Sequence, residues 1–333
     1  MQTINSSELS FVVQGPIYQD ITDKVCESIR KYFPECEIVL STWEGSNTEG
    51  LKYDKAVFSK DPGSTQRVEN QKILMNANRQ YISSKNGIEV SNRRLIVKTR
   101  SDIVFKNNNL LERLETLTTY NLKDQEYNFL KSRIIVTNVT SVNPHKTLQM
   151  PYHLCDWFYA GLAEDIKDLF DIPLYPEEEY ASWYKTYEKP INDSTDSLAR
   201  YAAESYIIIE FVKKYKHINF KHSFDILNNN IEISERVIAN NFIIYSNRQL
   251  GFNSLKNKYL SKSYLYNTYT HSDWLKLYSK YSSFDCLIKI YFDRDKILYF
   301  VSRNIKIILL KILDFFKIRD VVKQCLSKIL NRT

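Results

Sequence analysis

The segment Lys98-Thr99-Arg100-Ser101-Asp102 sets three ionisable side chains at the end of an apolar run that begins at Leu95. A strand that runs straight into an acid projects the carboxylate from the sheet edge where α/β proteins bind ligands. Asp102 in that place can hold a divalent cation, Mn2+ or Mg2+, bridging a diphosphate, while Lys98 or Arg100 offsets phosphate or leaving-group charge. A strand-end ion pair between Asp102 and Arg100 fits the same spacing.

Other segments carry weaker chemistry. Gln14-Gly15-Pro16 closes an apolar run, so Gly15 can allow close backbone approach to a nucleotide and Gln14 can hydrogen-bond a base or ribose edge. A plain Gly-Pro turn has the same sequence, and Asp61-Pro62-Gly63 reads first as a turn and second as a ligand loop. In Asn78-Arg79-Gln80, flanked by the core-facing Ala77 and Tyr81, Arg79 can reach a phosphate or can lie on a solvated helix face. The stretch Tyr152 to Tyr159 combines His153 and Asp156 with Tyr152, Trp157, Phe158 and Tyr159. Aromatic faces pack on the C–H side of sugar rings, and an acid can take a proton from the attacking hydroxyl. An aromatic core strand with a satisfied histidine fits these residues too.

These residues need a sheet and helices to position them. Leu9 to Gln14, Glu37 to Thr42, Ala56 to Phe58 and Leu95 to Arg100 read as strands. Ile21, Val25, Ile29 and Phe33 recur at helical spacing, with Asp20 or Thr22 as cap and Pro34 as stop. A second helix is expected from Asn70 to Ser84 with Gly87 ending it. Alternating strands and helices imply an α/β fold with a mostly parallel sheet flanked by helices. Further on, Ile134 to Thr137 suggests a strand, and Ala163 to Phe170 and Ser197 to Tyr215 suggest helices; beyond Lys221 the pattern gives no clear elements before the tail.

Composition excludes several classes. Seven Gly and eight Pro in 333 residues leave no Gly-rich phosphate loop or flexible linker. Cys26, Cys36, Cys155, Cys286 and Cys325 form no CxxC pair, which argues for buried free thiols against a disulfide framework or zinc site. The first ten residues lack the pattern of a secretory signal, so a cytoplasmic location is expected. Between Ile297 and Thr333 eight Lys or Arg face two Asp, so +6 of the net charge of +7 sits in the tail. The rest is almost neutral, which argues against nucleic acid as a partner.

The motifs from Val12 to Pro16, Ser28 to Arg30, Phe33-Pro34, Ile38 to Gly45, Ser59 to Gly63, Asn78 to Gln80 and Lys98 to Asp102 occur in an order that resembles the WavE lipopolysaccharide synthesis family. The likeness is strongest over residues 9 to 105 and extends more loosely through Asp156-Trp157-Phe158, Glu164-Asp165 and the Trp274 region. It implies a GT-A-like glycosyltransferase acting in lipopolysaccharide or capsule assembly. Residues 1–105 would bind the nucleotide sugar through Gln14, Gly15, Pro16, Asp61, Asn78, Arg79, Lys98 and Arg100. Residues 106–285 would bind acceptor through His153 and Trp157, with Asp156 or Glu204 as base and Asp102 organising the donor diphosphate. In such folds two acids normally hold the metal, yet the position two before Asp102 is Arg100, so the acid pair is incomplete.

Residues 286–333 read as a basic amphipathic helical tail. Lys306, Lys311 and Asp314 interrupt its apolar stretch, so an interfacial helix at the inner face of the cytoplasmic membrane, where a lipid-linked oligosaccharide acceptor resides, is expected over a spanning one. Packing of this helix on its own domain or on a dimer partner is the alternative. Two other functions remain compatible with the sequence: transfer of a polyol phosphate from a nucleotide carrier, and a non-catalytic carbohydrate-binding subunit in which Asp102 is structural.

Overall fold

Strand β1 (Leu9–Gln14) is buried at every residue, as a strand covered on both faces must be. In the computed structural model it lies inside a seven-stranded sheet; the structure describes residues 3–68, 71–120, 124–181, 183, 199–256 and 267–282. Parallel neighbours β2 (Glu37–Trp43) and β6 (Leu95–Arg100) flank β1, in the registers Gln14 to Ser41 and Gln14 to Arg100. Beyond β2 lies β3 (Lys55–Ser59), also parallel. Beyond β6 come β9 (Tyr159–Leu162), antiparallel to both its neighbours, then β8 (Ile134–Thr137) and β10 (Phe242–Tyr245). The fold is therefore α/β with a mainly parallel sheet.

Helices cover both faces. On one, α1 (Gln19–Tyr32) buries Val25, Cys26 and Ile29, and Phe11, Phe33 and Phe105 lock sheet, helix end and β7 (Ile103–Phe105) together with ring centroids 4.9 to 5.3 Å apart. Neither Asp20 nor Thr22 caps α1 as expected: Tyr18 is the N-cap residue, its N–H donates to the Thr22 hydroxyl, and Phe33 ends the helix before Pro34. On the other face lies α2 (Ala77–Glu89), so close to the sheet that a Cβ on Gly87 would stand 2.5 Å from Val12 Cγ1. Gly87 is a packing residue within the helix, not its stop.

The expected helix from Asn70 also begins too early. Residues Gln71–Met75 form β5, paired antiparallel with β4 (Thr65–Val68). The short run Ile73-Leu74-Met75 satisfies a strand as readily as a helix turn, and pairing with β4 decides it.

The remainder comprises α3 (Asn109–Thr119), α4 (Ala163–Phe170), α5 (Glu177–Ala181), α6 (Ala203–Lys213), α7 (Asn230–Asn241), α8 (Asn247–Leu250), β11 (Phe252–Ser254) and α9 (His271–Tyr281). Strand β11 pairs antiparallel with β7. Among the described residues Cys26, Cys36 and Cys155 are buried free thiols, and no helix is long and apolar enough to cross a membrane. The described residues fall within one compact unit, Met1–Ile290; Cys286, Cys325 and the expected tail helix lie outside them.

Candidate active site

A parallel sheet leaves a crevice where successive connections run to opposite sides of one strand. Here the chain leaves β1 for β2 on one side and returns to β6 on the other. An open cleft of about 340 Å³ lies at those strand ends. Gln14, Gly15 and Pro16 line it from β1, Trp43 from β2, and Arg100, Ser101 and Asp102 from β6 and the turn after it. Arg79, Gln80 and Ser83 line it from α2, Asn76 from the N-cap of α2 and Tyr18 from that of α1.

The turn after β1 requires Gly15, whose φ of +115° few side-chain-bearing residues adopt. Its N–H donates to Ser41 O at 3.0 Å, Ser101 N–H donates to Gln14 O at 3.0 Å, and the Ser101 hydroxyl donates to Pro16 O at 2.7 Å. Buried Gln14 accepts from the Ser83 hydroxyl at 2.7 Å, tying β1 to α2. The cleft wall is thus fixed by bonds that need no ligand.

Two guanidinium groups line this cleft, each gripped edge-on by an aspartate. Arg100 donates from Nε to Asp102 Oδ1 at 2.8 Å and from Nη2 to Oδ2 at 3.0 Å, and its Cζ lies 4.3 Å from the Trp157 ring centroid. Ser254 donates to Asp102 Oδ2 at 2.9 Å. Arg79 donates from Nε and Nη2 to the two Asp61 oxygens, both at 2.7 Å, and from Nη1 to Asn76 Oδ1 at 3.0 Å. Hydrogen bonding from Arg79 holds the Asp61 carboxyl below the ordinary range. Side-on pairing leaves N–H groups of each fork for a second anion, the geometry that suits phosphate oxygens.

Behind the cleft wall is a buried ionisable group. Asp156 precedes β9, and its main-chain carbonyl accepts from Gln80 Nε2 at 3.2 Å and from the Lys98 ammonium. Burial first, and the Glu204 charge second, push the Asp156 carboxyl up to about 6. Burial pulls Lys98 down to about 8. A carboxyl tuned towards neutrality beside a cleft is suited to proton transfer.

The donor set does not fit a divalent cation. Both Asp102 oxygens are occupied by Arg100 or Ser254, and no group of three His, Cys, Asp or Glu among the described residues could hold a metal ion. The cations that line the cleft are the guanidinium groups of Arg79 and Arg100.

Of the residues singled out from sequence, Gln14, Gly15, Pro16, Arg79, Arg100 and Asp102 share the cleft, and Asp61 and Trp157 hold its arginines. Lys98 and Asp156 lie just behind it, with half-buried Glu204 in electrostatic reach of Asp156. Asn78 does not face the cleft: its N–H donates to Glu177 Oε1, its amide donates to Tyr175 O and accepts from Tyr175 N–H, so it anchors the chain entering α5. His153 is buried against Ser205, Nδ1 to Oγ 3.0 Å, and burial holds it down at about 4. Sequence reading assigned no role to Tyr18, Trp43 and Ser83. Trp43 ends a buried strand at the ligand edge, and Ser83 sits one turn after Arg79, the signals that mark them.

Comparison with solved structures finds low likeness. The catalytic domain of Drosophila beta1,4galactosyltransferase 7, in complex with xylobiose, is 9% identical with a TM-score of 0.29, covering 54% of this chain and 60% of that one. S. aureus TarS is 12% identical with a TM-score of 0.34, covering 70% of this chain and 39% of that one. The chain thus spans less than two thirds of either. No curated protein matches. Over residues 9–313 the sequence matches the family model described as WavE lipopolysaccharide synthesis, a span that takes in every strand of the sheet and every residue of the cleft, and the chain belongs to that family.

Proposed function

We propose that this protein is a glycosyltransferase that moves a sugar from a nucleoside-diphosphate sugar to a hydroxyl of a lipid-linked oligosaccharide in lipopolysaccharide or capsule synthesis. The observation that carries the reading is the pair of aspartate-gripped guanidinium groups, Arg79 and Arg100, on the walls of one cleft at the sheet's ligand edge. Such a pair matches a diphosphate, whose charge grows as it leaves the sugar. Gln14 and Gly15 contact the nucleotide in this reading.

In the reaction the acceptor oxygen bonds to the anomeric carbon as the bond from that carbon to the diphosphate breaks, and the bonding pair leaves with the nucleoside diphosphate. The hydroxyl proton passes to Asp156, whose basicity burial and Glu204 raise. Arg79 and Arg100 stabilise the departing charge. No step runs through a metal ion. The basic tail is proposed to hold the protein at the inner membrane face beside its acceptor.

The test is thermal stabilisation by UDP-, GDP-, dTDP- and CMP-sugars, each with Mn2+ or EDTA. One diphosphate class should raise Tm equally with Mn2+ or EDTA, and Arg79→Ala or Arg100→Ala should reduce the rise. Silence with every donor would shift the assignment to a carbohydrate-binding subunit.

A further inference from the structure

Lys98 is fully buried in the middle of the sheet, where its register partner on β9 is Tyr159. Its ammonium donates to the main-chain carbonyl of Asp156 and lies 5.8 Å from the Tyr159 ring centroid. A neutral side chain of the same length would avoid the solvation loss of a buried ammonium. Burial pulls Lys98 down to about 8, while the Asp156 charge works the other way and favours the ammonium.

That charge sits on the main chain of Asp156, within electrostatic reach of its carboxyl. Lys98 and Arg100 on β6 both favour its ionised form, whereas Glu204 at the start of α6 and burial oppose it. Gln80 of α2 also favours it, and His153, Cys155 and Tyr159 are the titratable groups along its own segment. Arg100 is already neutralised by Asp102, so its field at Asp156 is divided. The ammonium of Lys98 bonds a neutral carbonyl instead, and its field is not.

We propose that Lys98 is a positioning residue for proton transfer: its charge keeps the Asp156 carboxyl ionised, and its hydrogen bond fixes the Asp156 main chain behind Gln80. The role rests on the reading of Asp156 as the group that takes the acceptor's proton. Lys98 contacts neither donor nor acceptor. It acts through Asp156 alone.

The experiment follows the Asp156 carboxyl by NMR titration in full-length protein carrying 13C-labelled aspartate, with Asp156→Asn assigning the signal, beside the pH profile of sugar transfer. In Lys98→Met the Asp156 midpoint should rise by roughly 1 pH unit or more, the size of a nearby opposite charge. The acid limb of kcat should move with it while donor KM stays unchanged, and Lys98→Arg should restore part of both. A midpoint that stays put in folded Lys98→Met, as judged by an unchanged donor-induced thermal shift, overturns the proposal. A midpoint that moves without the kcat limb upholds the electrostatic coupling and rejects Asp156 as the proton acceptor.

Discussion

Asp102 grips Arg100 edge-on, Nε to Oδ1 at 2.8 Å and Nη2 to Oδ2 at 3.0 Å, although only Ser101 separates them in sequence. The side chain of Asp102 is 2% exposed and that of Arg100 26% exposed, so the acid stays in the fold while the guanidinium reaches the cleft. The pair is closed on its other faces by Ser254 and by the Trp157 ring. In the proposed function Asp102 therefore acts on the donor diphosphate through Arg100, by aiming its guanidinium.

Asp102→Asn keeps the size of the side chain and removes its charge. The charged bidentate pair then becomes a weaker contact, at a cost of about 1–3 kcal/mol in stability. Donor affinity should fall about 10-fold or more because Arg100 is no longer aimed, and EDTA should change neither the wild type nor the variant. Calorimetric titration with the donor found by thermal shift checks both; rescue of binding by Mn2+ would restore Asp102 as a metal ligand.

Arg79 and Asp61 should separate binding from folding. Both side chains are a third or more exposed, 33% and 40%, so their ion pair contributes little to stability, of the order of 1 kcal/mol or less. Arg79→Ala should leave Tm nearly unchanged yet weaken donor binding about 10- to 100-fold, as loss of a phosphate contact does. Asp61→Asn should weaken it less, because Asn76 still holds Nη1 at 3.0 Å. Equal losses in the two variants would mean that Asp61 itself touches the ligand.

Which parts of this site the sequence discloses follows from chain distance. Gln14, Gly15, Arg100 and Asp102 are legible because each ends a contiguous apolar strand, and strand ends are where such sheets bind. The contact of Lys98 with Asp156 spans 58 residues and ends on a main-chain carbonyl, so no side-chain pattern announces it. Asn78 reads like its neighbour Arg79, yet one residue along a helix turns the side chain by roughly 100°. That turn takes Asn78 to Tyr175 and leaves Arg79 at the cleft. Strand β9 is hidden because Tyr159-Ala160-Gly161-Leu162 has no alternation: it is buried among other strands.

Two buried groups should give opposite pH dependences of stability. His153 is held at about 4, below its unfolded value of 6.5, so its contribution is present above pH 6.5 and is lost as pH falls towards 4. Asp156 is raised from 3.8 to about 6, so its contribution is present below pH 3.8 and is lost as pH rises through 6. Between pH 4 and 6 the two contributions oppose each other. His153→Gln should therefore make the protein gain stability relative to wild type on acidification, and Asp156→Asn should make it lose stability relative to wild type. Urea unfolding at pH 4.5 and pH 7 reads the difference; parallel profiles for the two variants would refute it.

Gly87→Ala sets helix propensity against packing, and the distances decide which prevails. Alanine in a helix interior gains about 1 kcal/mol over glycine. Against that, the added Cβ would stand 2.5 Å from Val12 Cγ1 and 2.9 Å from Ser41 Cβ, both within the sheet. Overpacking of this kind costs about 1–3 kcal/mol, because either α2 lifts or the strands part. Lifting α2 carries Arg79, Gln80 and Ser83 with it, and through Ser83 loosens the bond to Gln14. The expected result is a lower Tm together with weaker donor binding, from a residue that does not line the cleft. A Gly87→Ala protein as stable as wild type would show that α2 does not rest on β1 and β2 as closely as these distances require.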